Sequence, residues 1–318
     1  MQLVIGDLDL FCAGPNWPSW REQLTKAIDG GRARPQWCFS LRAGDERLAA
    51  VSYWAPFDGA DPVLAWHFDP GADPWFGAEV LRRSVGTLGV RRILHDVRLP
   101  AGARPDTTED IRLVHQALTA GGFPLEVERL ELAWRPQAGL SRDPGRLRYR
   151  PARELGEDAM LDVLHRVAVG SLDHDTRTEL AAGRGEQDAR EAYQFVTTCG
   201  GEPDWFEFGY LGDELVGFVV PARQPTWAQI AYIGVVPEHR GHGYVDDLLA
   251  RGTATLAAAG AEEVTAGTDT GNRPMAAAFA RAGYADAGRV FRYSWRAELT
   301  TGPLEHRGDR PHERFRTR

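Results

Sequence analysis

Apolar and polar positions along this chain fall into blocks whose period switches between two and 3.6. Trp37–Leu41 and Leu48–Trp54 predict two strands turned through Ala43-Gly44-Asp45-Glu46. Val63–Phe68, Ile93–Val97 and Val127–Trp134 predict three more. Helical spacing runs over Ser19–Gly31, opened by a Ser19/Glu22 capping box. It recurs from Pro74 behind an Asp73 cap, with Trp75, Ala78, Leu81 and Val85 facing inward, and again over Thr108–Ala120. Residues 136–146 are rich in Pro, Gly and Ser, have no period and predict a linker. The pattern then restarts. Helices are predicted at Gly156–Val169 and Gly183–Thr198, and a hairpin at Phe206–Tyr210 and Glu214–Val220. A buried strand, Ile230–Val236, follows and is stopped by Pro237. Next comes a helix with Val245, Leu248, Leu249, Gly252 and Leu256 on one stripe. A strand at Glu263–Gly267, a helix at Pro274–Arg281 and a strand at Val290–Trp295 complete the pattern.

The restart is a repeat. Trp37, Gly44-Asp45-Glu46, Pro70, Gly122-Phe123 and Trp134 return in the same order, at nearly constant separation, as Trp205, Gly212-Asp213-Glu214, Pro237, Gly283-Tyr284 and Trp295. The expected fold is therefore α/β, with two tandem copies of a mixed, mostly antiparallel sheet flanked by helices. The copies are expected at 1–135 and 147–298, with a charged, disordered tail at 299–318.

The stretch from Gln229 reads strand, Gly-rich turn, helix. Arg240-Gly241-His242-Gly243 precedes the helix, so several backbone N–H groups, a positive helix end and a guanidinium converge on an anion site suited to a pyrophosphate. A P-loop is excluded, because the sole lysine is Lys26, and a dinucleotide fingerprint lacks its third Gly and its acid. Val235, Pro237, Arg240 and Gly243 fall in register on the acetyl-CoA loop of the GNAT acetyltransferases, which this stretch resembles, although Val245 stands where Gly or Ala is usual. Asn272 to Tyr284 resembles that family's next motif, with Phe279 at the position of its Tyr acid. With the repeat, the whole chain resembles tandem members of the mycothiol synthase-like, actinobacterial type.

The resemblance implies an acetyl-CoA-dependent N-acyltransferase acting on a small-molecule amine by direct attack. Ile233, Gly234, Val235, Val236, Arg240, Gly241, His242, Gly243, Tyr244, Asn272, Met275 and Phe279 are then expected around CoA, with Phe279 alternatively a core residue. In the first copy, Asp73 puts charge where phosphates would sit and Pro74 removes an N–H, so only the second copy should bind CoA. The central strand offers Gln229 and Tyr232 toward the acceptor but no base, since Gln cannot accept the proton and Tyr is a poor base. Glu207, Asp269 and His174 are the candidates for proton transfer, and Asp173 and Asp175 for gripping an amine. Their bland alternatives are a solvent-facing strand acid for Glu207, a helix cap for Asp269, and a solvated capping loop for Asp173-His174-Asp175. A catalytically inactive CoA-binding or sensing module, or a scaffold, is the competing reading.

Composition changes little of this picture. A net charge of −8 disfavours nucleic acid and mildly suits a cationic acceptor. Three scattered cysteines make neither a disulfide framework nor a metal site. No apolar run approaches a membrane span, and Met1–Phe11 does not read as a secretion signal. A cytoplasmic monomer or homodimer is expected.

Overall fold

A computed structural model describes residues 1–13, 18–224 and 227–297. The expected tail at 299–318 lies outside them. In chain order the first half comprises β1 (Gln2–Ile5), α1 (Leu8–Phe11), α2 (Pro18–Asp29), β2 (Cys38–Ala43), β3 (Glu46–Trp54), β4 (Leu64–Ala65), α3 (Pro74–Leu88), β5 (Arg92–Pro100), α4 (Glu109–Ala120) and β6 (Leu125–Trp134). The second comprises β7 (Arg148–Pro151), α5 (Glu157–Ala168), α6 (His174–Ala181), α7 (Gly185–Thr198), β8 (Glu207–Leu211), β9 (Glu214–Gln224), β10 (Trp227–Val235), α8 (Tyr244–Ala258), β11 (Val264–Asp269), α9 (Arg273–Arg281) and β12 (Ala285–Arg296).

Local chemistry sets many boundaries. Asp73 caps α3 by accepting from the Trp75 amide (2.9 Å), and Pro74 fills its first turn. Thr108 caps α4 in the same way. Trp75, expected inward, is 47% exposed, because the core stripe of α3 runs through Ala78, Leu81 and Val85 without it. The short β1, β7 and α6 carry too few residues to show a period and were not predicted from it. The third predicted strand shrinks to Leu64–Ala65, since the chain leaves the ladder there.

The strands form one 12-stranded sheet in the order β1-β2-β3-β4-β5-β12-β6-β11-β10-β9-β8-β7. The centre departs from two side-by-side copies. Strand β6 of the first half lies between β11 and β12, while β12 of the second half lies between β5 and β6. Both exchanged strands are antiparallel to both neighbours, so every central backbone edge is paired across the halves. The cores record the same exchange: Phe291 and Tyr293 of β12 pack with Phe39, Tyr53 and Leu81, and Leu132 and Trp134 of β6 pack with Leu248 and Phe279. In the second half, α8 and α9 cover one face of the sheet and α5 and α7 the other.

Candidate active site

Strands β10 and β11 are parallel and share a single register pair, Gln229 with Thr265. Past it they part: β10 stays on β9 through Val235, with an irregularity between Ile230 and Tyr232, and β11 stays on β6 through Asp269. The β10 edge from Ile230 to Val235 therefore has no strand beside it among the described residues, and its peptide groups can serve a ligand. Tyr232 points to the α5/α7 face, edge-on to Phe218 at 5.1 Å, while Ile233 packs toward α8. Gly234 passes so close to α5 that a Cβ there would run into Val167.

Strand β10 delivers the chain through Val236 and Pro237 into the loop before α8. Gly241 and Gly243 have φ of 79° and 74°, and Gly243 is the N-cap. Among the described residues, the N–H groups of Gly241, His242, Gly243, Tyr244 and Val245 have no acceptor. A row of free N–H groups at a helix N-terminus fits a diphosphate. Arg146, outside the predicted loop motif, steadies it by donating to the carbonyls of His242 (3.1 Å) and Gly243 (3.0 Å) and by pairing with buried Asp247. Its guanidinium lies 4.8 Å from the Tyr244 ring centre.

Arg240 corrects the sequence reading. Its guanidinium does not face an anion; it donates to the carbonyls of Val235 (3.0 Å), Val169 (2.7 Å) and Val167 (2.7 Å), tying the loop to the end of α5. Burial lowers its pKa, the expected direction for a cation held by neutral carbonyls. The anion site thus rests on backbone N–H groups. Asn272, at the end of the opening, caps α9 by accepting from the Met275 amide (3.4 Å), and Met275 half-buries against the α8 core. Phe279 is 1% exposed and stacks edge-on against Tyr284 at 5.1 Å, so its ring is core and does not reach a ligand.

Of the three proton-transfer candidates, Asp269 and His174 meet through the His174 amide, and Glu207 lies apart from both. Glu207 is level with Val219 and Ile233 across β9, two strands from β10's open edge, and faces α8. There Arg251 holds it in a two-point ion pair (2.6 and 2.8 Å). Asp269 ends β11 but is 4% exposed, accepts from the His174 amide (2.6 Å) and pairs with Arg129 (3.0 Å). Burial raises its pKa against the pull of Arg129. It does not cap α9, a task Asn272 performs. His174 opens α6, with its ring 3.7 Å from Glu126.

Asp173 and Asp175 belong to a charged seam between the halves rather than to a solvated loop. Asp173 caps α6 through the Thr176 amide (3.0 Å) and pairs with Arg129 of β6 (2.9 Å). Asp175 is gripped by Arg92 and Arg292; burial alone would raise its pKa, but these guanidinium groups hold it at about 2. Glu126, His174 and Asp175 bring three ligand-type atoms within 4.8 Å of one another. Arg92, Arg292 and Arg296 already pair with the two carboxylates, so this cluster reads as an ion-pair network.

Sequence reading passed over Asp188. It lies in the first turn of α7, four residues before Ala192, on the flank of the stripe (Ala189, Ala192, Tyr193, Val196) that packs into the core shared with α5. Its one sequence signal was an acid beside the apolar stripe of an otherwise polar helix.

The first copy shows what a closed version of the opening looks like. Strands β4 and β5 share only the pair Leu64–Leu94, but the gap beyond is wedged by His95, whose Nδ1 is 2.9 Å from the Ala65 carbonyl oxygen and whose ring meets Phe68 edge-on. Carboxylates take the amides at its loop, Asp69 from Gly71 and Asp73 from Trp75 (both 2.9 Å).

Residues 172–284 match the family model described as Acetyltransferase (GNAT) family. Residues 172–284 are thus similar to a GNAT acetyltransferase domain. No curated protein matches. Among solved structures, a GCN5-related N-acetyltransferase from Sphaerobacter thermophilus is 13% identical, with a TM-score of 0.59 over 87% of this chain and 85% of that one. A tandem GNAT protein from the clavulanic acid biosynthesis pathway is 13% identical, with a TM-score of 0.51 over 93% of this chain and 98% of its own. A GCN5-related N-acetyltransferase from Kribbella flavida gives 13% and 0.51 over 86% and 94%. At such identities the likeness is one of fold: this chain shares a mixed sheet flanked by helices, on a two-copy plan, with a tandem GNAT protein. None of its described helices is long and apolar enough to cross a membrane.

Proposed function

We propose that this protein moves an acetyl group from acetyl-CoA to the amine of a small molecule in the cytoplasm, and that CoA binds only in the second copy. The observation that carries the reading is the pairing of an open β10 edge with five free N–H groups at the start of α8. The Gly241–Val245 amides would hold the pyrophosphate, the Ile233–Val236 backbone the pantetheine arm, and Asn272 and Met275 the far wall of the opening. Bound acetyl-CoA supplies an activated thioester. The chain's own work is to align it along β10 and to exclude a second site by wedging His95 into the first copy and engaging its loop amides with Asp69 and Asp73.

Isothermal titration should give one acetyl-CoA per chain, and two per chain would overturn the assignment. Gly243→Ala should weaken binding through its positive φ, and Gly243→Asp should abolish it by adding negative charge at the anion site. Wild-type binding in both would sink the loop reading. One observation favours a CoA-binding module without turnover, namely that Phe279 is sealed in the core and has no proton to give a leaving thiolate. Mass-spectrometric detection of an acetylated product from a panel of amines decides between the two.

A further inference from the structure

One short segment joins the two strand ends that flank the opening. Strands β10 and β11 are parallel, so both end on the same side, at Val235 and Asp269. Arg240 ties the end of β10 to the end of α5 by donating to the carbonyls of Val235 (3.0 Å), Val167 and Val169 (both 2.7 Å). From Val169 the chain runs through Gly170, Ser171 and Leu172 to Asp173 and His174. The His174 amide is held by Asp269 at the end of β11 (2.6 Å). Residues 169–174 thus form a strap anchored on β10 at one end and on β11 at the other. At about 3.4 Å per residue, so short a strap reaches no more than about 17 Å, which ties the positions of its two anchors to each other. It is braced within itself. The Ser171 amide donates to the Ala168 carbonyl (3.0 Å), and the Asp173 amide to the Ser171 hydroxyl (3.1 Å). At Gly170 a Cβ would come within 3.1 Å of the Arg240 guanidinium, so the strap passes closely over that side chain.

The far anchor is set by the first copy. Arg129 of β6 lies opposite Asp269 in the ladder, and its guanidinium pairs with both Asp269 (3.0 Å) and Asp173 (2.9 Å). Asp269 is buried, and its Oδ1 has no hydrogen bond among the described residues, so this guanidinium is the charge that lets a carboxylate stay at the strand end.

We propose that Arg129 is a positioning residue for the acetyl-CoA site, so that the first copy sets, through the strap, the loop of the second. This rests on the acetyl-CoA reading above. Arg129 acts on Asp173 and Asp269, these on the strap, and the strap on Arg240, which fixes the start of the loop carrying the free amides of residues 241–245. The arrangement gives Arg240 its task, which is to grip carbonyls of the strap and its root.

Arg129→Gln should weaken acetyl-CoA binding by about 3–30-fold in titration, the range for substitutions along a coupling network. Arg129→Lys keeps the charge but serves one carboxylate at a time, so it should recover part of the affinity. The deciding measurement is a double-mutant cycle with Arg240→Gln. If both arginines act through one strap, the double variant should bind about as weakly as the weaker single variant. Losses that multiply overturn the proposal, as does wild-type affinity in Arg129→Gln or a Lys variant no better than Gln. Asp173→Asn carries the same cycle where Arg129→Gln does not fold, because Asn still caps α6 and only one arm of Arg129 is lost. Hydrogen exchange reads the strap without ligand. The Ser171, Asp173 and His174 amides should exchange faster in Arg129→Gln, and Arg240→Gln should release the His174 amide although it acts at the other end. Release confined to the substituted end overturns the coupling. A wild type that binds no acetyl-CoA defeats the proposed function, and the exchange pattern then decides by itself whether Arg129 and Arg240 are joined.

Discussion

At the residue scale the site depends on close approach as much as on charge. Gly234 sits where β10 crosses α5, and a methyl group there would meet Val167, whose own carbonyl anchors Arg240. Gly234→Ala should therefore destabilise the fold by about 1–3 kcal/mol through overpacking. It should also weaken CoA binding, because the displaced helix end carries two of the three carbonyls that hold Arg240. Adding Val167→Ala should restore much of both losses, and a double-mutant cycle in thermal unfolding and titration measures the coupling. Additive losses would refute the contact. Asp188 predicts the opposite kind of trade. Its folded pKa lies above its unfolded value, so its ionisation destabilises the native state increasingly as pH rises from about 4 to 6. Asp188→Asn should accordingly gain about 1–2 kcal/mol at pH 7 and little at pH 4, as denaturant unfolding at the two pH values checks. Single residues also mark where sequence reading stopped. Arg240 was legible as part of a loop motif, but its hydrogen bonds to the end of α5 depend on helix placement that no local pattern contains. Glu207 was legible as an acid between aromatics, but Arg251, which closes it, lies 44 positions away.

At the element scale, strands and helices with a clear period were predicted within a few residues, α3 and α4 with their caps included. Elements of four to eight residues, such as β1, β7 and α6, are fixed by what they pack on rather than by their own periodicity. Helix α6 shows the consequence. The stretch Asp173–Asp175 resembled an open acceptor loop because its partners, Arg92, Arg129 and Arg292, belong to β5, β6 and β12. Those pairs make α6 acid-sensitive. With the Asp175 pKa depressed to about 2, its contribution is complete above the unfolded pKa near 4 and is lost as pH falls through 2. The loss should amount to about 2–3 kcal/mol, at 1.36 kcal/mol per unit. Hydrogen exchange should find α6 amides losing protection between pH 4 and pH 2 ahead of α8. In Asp175→Asn that difference should already be present at pH 7. Equal protection of the two helices across that range would remove the seam from this role.

At the scale of the whole molecule, the repeat was legible but the exchange of strands was not. Leu125–Trp134 and Ala285–Arg296 both read as closing strands, and nothing in a period-two pattern says which neighbour a strand will choose. The pairing is unambiguous: β12 pairs along its length with β5 on one side and β6 on the other, and β6 fills the place between β12 and β11. Each half thus completes the other's sheet, and β11, one wall of the opening, leans on a strand from the first half. Without residues 1–135, β12 would lose both partners and β11 its only extended one, exposing three long backbone edges and the faces of Leu132 and Trp134's core neighbours. Residues 147–318 expressed alone should therefore aggregate or unfold without a cooperative transition and should not bind acetyl-CoA. Co-expression with residues 1–146 should recover a 1:1 complex that binds one acetyl-CoA, because the exchanged strands supply the interface. The separate transitions in calorimetry that independent units would show should be missing from the full chain, which should melt as one. A lone second half that melts cooperatively and binds acetyl-CoA as tightly as the full chain would show that β6 is dispensable and that the opening is built by one copy alone.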